Sequence, residues 1–79
     1  MRPYQKAQRA MADLKTAIHE LFIDENTELT NVEIGKSLGI YHGHSGKHQG
    51  HISRVLLELM QAEGVVLQNK KTKVWKLKK

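Results

Sequence analysis

Apolar residues recur at steps of three or four along the start of the chain: Ala7, Met11, Leu14, Ile18, Leu21 and Phe22. That spacing lays one apolar face along a first helix, predicted over residues 4–23. Lys6, Arg9, Asp13, Lys15 and Glu20 occupy its other face. Pro3 suits the first helical turn, where an amide proton would have no partner. Asp24, Glu25 and Asn26 then form a polar break.

Glu28-Leu29-Thr30 fits a very short strand. Thr30-Asn31-Val32-Glu33 has capping-box spacing, with Thr30 accepting from the Glu33 amide and the Glu33 side chain reaching back to the Thr30 amide. A second helix is therefore predicted over 31–38, with Val32 or Ile34 and Leu38 turned inward. Gly39 is its expected stop, because glycine takes positive φ without a Cβ clash. Residues 40–50 hold three glycines and three histidines and form a long connection. Ser45 is the expected cap of a third helix over 46–63, ended by Gly64. Ile52, Val55, Leu56 and Leu59, with Met60 at the edge, give that helix an inward stripe. Two strands follow at 65–68 and 73–78, rich in β-branched and aromatic residues and separated by a polar turn. The expectation is one domain over residues 1–79, of α+β class, with three helices and a C-terminal two-stranded hairpin.

Charge changes this picture most. From Gly64 onward there are six lysines (Lys70, Lys71, Lys73, Lys76, Lys78 and Lys79) and no acid. Residues 1–63 sum to −1, so the whole +5 excess sits in the last sixteen residues. A basic hairpin directly after a core-forming helix suits phosphate binding. The hydrophobic fraction of 39% in 79 residues suffices for one small core. There is no cysteine, hence no disulfide and no thiolate metal site. No run approaches the roughly 20 apolar residues of a membrane span. The expected setting is the cytoplasm, or the nucleoid in a bacterium, with no membrane partner.

Three segments carry a family resemblance: Thr30-Asn31-Val32-Glu33-Ile34-Gly35-Lys36-Ser37-Leu38-Gly39, Ile52-Ser53-Arg54-Val55-Leu56-Leu57-Glu58-Leu59, and Gly64-Val65-Val66. With the element order, they make the chain resemble the winged helix-turn-helix superfamily. Residues 4–23 would be its first helix, the third helix its recognition helix and the hairpin its wing. The glycine-rich 40–50 connection looks similar to winged domains that accompany some restriction enzymes. Left-handed-DNA-binding winged domains share an Arg and a Trp here (Arg54, Trp75), but their Asn, Tyr and wing prolines are missing.

The resemblance implies double-stranded DNA as partner, a small transcriptional regulator or DNA-targeting module as the role, and a helix N-terminus at base edges. On that reading Ser45, Lys47, His48, Gln49, His51 and Arg54 approach the bases or adjacent phosphates. Arginine can bond guanine bidentately and glutamine can pair with adenine. Lys70, Lys71, Lys73 and Lys76 would contact phosphate and position the protein without reading sequence. The bland alternative is that these side chains are a solvated helix face and a solubilising hairpin. Trp75 reads as a core residue rather than a stacking platform. Tyr41 either meets phosphate or covers the core.

His42, His44, His48 and His51 lie within ten residues, at spacings that suit zinc only on a continuous helix. With no cysteine and no acid between residues 40 and 53, neither a metal site nor any cofactor is expected. No nucleophile with a paired base, no carboxylate pair and no phosphate loop is legible, so no enzymatic activity is expected. Two other readings stand beside DNA. One is a protein-interaction domain using the first helix, where Tyr4, Ala7 and Met11 extend the apolar face. The other is an RNA-binding domain. A palindromic DNA site would call for a homodimer, which nothing in the sequence demands.

Overall fold

The computed structural model describes residues 2–25, 28–41 and 51–78. Helix α1 spans Pro3–Glu25, α2 Asn31–Ser37 and α3 His51–Ala62; strands β1 (Val66–Gln68) and β2 (Trp75–Leu77) follow. The class is α+β, as the periodicities imply.

α1 starts where Pro3 predicts. The Arg2 carbonyl accepts from the Lys6 amide at 3.0 Å, while Gln5 Oε1 accepts from the Arg2 amide at 3.3 Å. Ile18 and Phe22 are buried, and Met11, Leu14 and Leu21 pack at the core's margin. Burying each large side chain contributes roughly 1.5–3 kcal/mol. Ala7 is exposed, as are all of residues 3–10, so the apolar face of α1 outruns the core by two turns.

α2 has the full capping box. The Glu33 amide donates to Thr30 Oγ1 at 3.1 Å and the Thr30 amide donates to Glu33 Oε1 at 2.8 Å. Leu38 is the C-cap rather than the last helical residue, and Gly39 follows at φ +71°. Of the two inward candidates, Ile34 is buried and Val32 only half-buried. Past the stop, the Ile40 and Tyr41 amides both donate to the Gly35 carbonyl, at 2.9 and 3.1 Å. Tyr41 thereby folds over α2, and Lys36 Nζ lies 5.5 Å from its ring centroid.

The third helix corrects the sequence reading. Ser53, Leu56, Leu57 and Met60 face inward, whereas Ile52, Val55 and Leu59 are 43%, 51% and 39% exposed. The expected stripe was apolar at 52, 55, 56 and 59. The observed one includes a serine, and the helix is turned by about one residue, some 100°. Ser53 is tolerated inside because its hydroxyl donates to Asn31 Oδ1 at 2.6 Å, so this buried polar group has its partner. Gly35 makes the close approach possible: a Cβ there would stand 3.3 Å from Ser53 Oγ and 3.1 Å from Tyr41 Cβ. The predicted start of this helix near residue 46 lies outside the described residues. Its end agrees, with Gly64 at φ +80°.

β1 and β2 pair antiparallel in the register Val66↔Leu77, Leu67↔Lys76 and Gln68↔Trp75. The short strand expected at residues 28–30 is a single bridge. Leu29 and Trp75 exchange both backbone bonds, Leu29 N–H to Trp75 O at 2.9 Å and Trp75 N–H to Leu29 O at 2.7 Å. The segment between α1 and α2 is thereby tied to the hairpin, with β2 in the middle. Val66 and Trp75 turn into the core formed by Ile18, Phe22, Leu29, Ile34, Leu56, Leu57 and Met60. Among the described residues, no helix is long and apolar enough to cross a membrane.

Candidate nucleic-acid interface

The hairpin tip is held by one side chain. Asn69 Oδ1 accepts from the Lys71 amide at 2.9 Å and the Thr72 amide at 3.2 Å, an asparagine turn built from local bonds. The Asn69 carbonyl also accepts from the Lys73 amide at 2.7 Å. Closing the loop this way puts Lys73 at φ +67°, the left-handed region that a residue with a Cβ enters at a cost of order 1 kcal/mol. Lys70, Lys71 and Lys73 are all exposed around this turn. Lys76 projects outward from β2 opposite Leu67, while its neighbour Trp75 points inward.

Between hairpin and helices lies a cleft of about 470 Å³, lined by Thr30, Asn31, Val32, Arg54, Glu58, Gln68, Lys73 and Trp75. Three segments distant in sequence build it: the start of α2, the outer flank of α3 and the hairpin. It brings Arg54 and Lys73 onto one wall system. Arg54 and Glu58 are four residues apart and so share a helix face. One turn before Arg54, His51 presents Nδ1 at 3.3 Å from Arg54 Nη2.

The six predicted site residues that fall among the described ones (His51, Arg54, Lys70, Lys71, Lys73 and Lys76) are all exposed. The cleft joins Arg54 to Lys73, and the His51 contact extends that group. Lys70 and Lys71 crown the tip, and Lys76 stands on the outer face of the hairpin, apart from the cleft. Ser45, Lys47, His48 and Gln49 lie outside the described residues, as do His42 and His44. Among the described residues no three His, Cys, Asp or Glu side chains are grouped to hold a metal ion.

Two features of the site were not legible beforehand. Glu58 and Gln68 join the cleft, which required knowing the phase of α3 and the hairpin's docking. The other is the apolar stripe of Ile52, Val55 and Leu59 beside Arg54. Its signal was Ser53, a polar residue that could be satisfied only by a specific partner. Trp75, at 2% exposure, is a core residue as expected. Tyr41 is half-buried against Gly35, which favours the core-covering reading.

Comparison with protein-family models, with curated proteins and with solved structures finds no match to this chain.

Proposed function

We propose that this chain is a winged-helix DNA-binding domain, with α3 directed at the major groove and the lysine hairpin acting as a wing on the phosphate backbone. The observation that carries the reading is the shared cleft, in which Arg54 of α3 and Lys73 of the hairpin converge. Two cations from separate elements on one face match a ligand with regularly placed phosphates. The helix order and the Leu29–Trp75 bridge add support, since the bridge ties the hairpin to the segment that leads into α2. So does the concentration of positive charge in the last sixteen residues. In this reading the chain is a binding module, a small transcriptional regulator or the targeting part of a larger system, and carries out no catalysis.

An NMR titration of labelled protein with a mixed-sequence duplex tests it. Shifts at residues 51–54 and 69–76 that weaken steeply with salt are expected, because displaced counterions oppose binding. The pair Lys70→Glu and Lys71→Glu should abolish them. Absence of shifts at low salt would remove the DNA reading. A second reading, docking of a protein on the first helix, is favoured by one observation: residues 3–10 form two helical turns that are exposed throughout, with Tyr4 74% exposed. Insensitivity to salt and to the lysine reversals would mark that outcome.

A further inference from the structure

We propose that the outward face of α3 reads the C5-methyl group of pyrimidines in the major groove, with Val55 as the central contact flanked by Ile52 and Leu59. The inference rests on the DNA-binding reading above and adds the base feature that is recognised. The helix had two packing phases available. Facing 52, 55, 56 and 59 inward would have buried four apolar side chains. The fold instead buries Ser53 with Leu56, Leu57 and Met60, and leaves Ile52, Val55 and Leu59 outside. Val55 is the most exposed of the three and lies nearly opposite the buried side.

What surrounds the stripe indicates its occupant. On this outward side Val55 has Arg54 next to it in sequence, His51 one turn earlier and the acid Glu58 one turn later; Arg54 lines the cleft that reaches Lys73 of the hairpin. An apolar strip with Arg54 beside it and Lys73 across the cleft suits the methyl-bearing floor of a groove with anionic walls, where Glu58 is the one opposing charge on that face among the described residues. In the major groove, the methyl at pyrimidine C5 is the apolar mark of a base pair, and small apolar side chains contact it. Thymine and 5-methylcytosine present the same methyl group at the same ring position.

The test is a fluorescence-anisotropy titration of the full chain with three duplexes of one mixed sequence. The first contains thymine. The second has every thymine replaced by uracil, which removes the methyl and keeps the hydrogen-bonding edge. The third is the uracil duplex with 5-methylcytosine in place of cytosine. Expected is a loss of affinity of about fourfold for each contacted methyl removed by uracil. In Val55→Ala the thymine-to-uracil ratio should fall toward one while affinity for the uracil duplex holds. Thermal unfolding of this variant should stay close to wild type, since the site is exposed. A gain on the 5-methylcytosine duplex supports a reader of either methylated pyrimidine; a gain on thymine alone supports a thymine reader. Equal affinity for the thymine and uracil duplexes overturns the proposal while leaving DNA binding intact. If Val55→Ala then also shifts sedimentation of the protein alone, the face belongs to a second copy of the chain. Binding to none of the duplexes overturns both readings.

Discussion

The Ser53 hydroxyl donates to Asn31 Oδ1 at 2.6 Å, linking the only buried polar side chain among the described residues to the first residue of α2. This bond selects the rotation of α3. With Ser53 inward, Arg54 and Glu58 line the cleft toward the hairpin, and Val55 points away from the core. Ser53→Ala removes the donor and is expected to lower stability by about 1–2 kcal/mol, as for a buried hydrogen bond. In a domain of this size that is a fall in melting temperature of very roughly 4–16 °C. Urea unfolding followed by circular dichroism checks it. A neutral outcome would mean that Gly35 and Tyr41, not the bond, hold α3 in place.

Lys73 separates stability from binding. Its φ of +67° suits glycine better than lysine. Lys73→Gly should raise thermal stability by up to about 1 kcal/mol, because the backbone strain is relieved. The same change should weaken duplex binding and reduce the slope of log K against log salt by about 0.9, one phosphate contact's worth. An unchanged affinity and salt slope would show that Lys73 has no role in binding.

Glu58 predicts a gain. It is an exposed acid in a cleft whose other charged lining residues are Arg54 and Lys73, and salt bridging among the described residues does not engage it. A carboxylate there repels phosphate, so Glu58→Gln should tighten binding to mixed-sequence DNA severalfold at low salt, the benefit shrinking within the screening range of moderate salt. Unchanged affinity in a titration at two salt concentrations would place Glu58 away from the nucleic acid.

Arg54 should matter for discrimination as well as strength. Arg54→Ala is expected to cost about 1–3 kcal/mol at a preferred site if it bonds a guanine edge, and less on random sequence. A uniform loss on both would reassign it to phosphate.

Trp75 tests the fold rather than the site. It sits in the core and also pairs with Leu29 through its backbone. Trp75→Ala should cost about 3–5 kcal/mol, a large share of the roughly 5–15 kcal/mol that a native domain has in total. Loss of cooperative melting is expected. A small change would mean that the hairpin contributes little to the core.

Much of this molecule follows from local chemistry. The capping box at Thr30 and Glu33 and the glycine stops at Gly39 and Gly64 involve atoms within a few residues of each other. A linear reading therefore finds them, as it finds the two strands and their lysines. The charge of the hairpin is likewise a property of composition. The packing phase of α3 is different in kind. Ile52, Val55, Leu56, Leu57, Leu59 and Met60 make that helix apolar around most of its circumference, so periodicity alone favours the wrong stripe. Only the meeting of Ser53 with Asn31, 22 residues away, over the bare backbone of Gly35 decides between the two rotations. The Leu29–Trp75 bridge is decided in the same way, by partners that come together when the chain closes. Sequence thus determined which elements form and where the positive charge lies, because those depend on near neighbours. Tertiary structure decided which side chains share the cleft and which apolar residues stay outside, because burial is settled between elements and not within them.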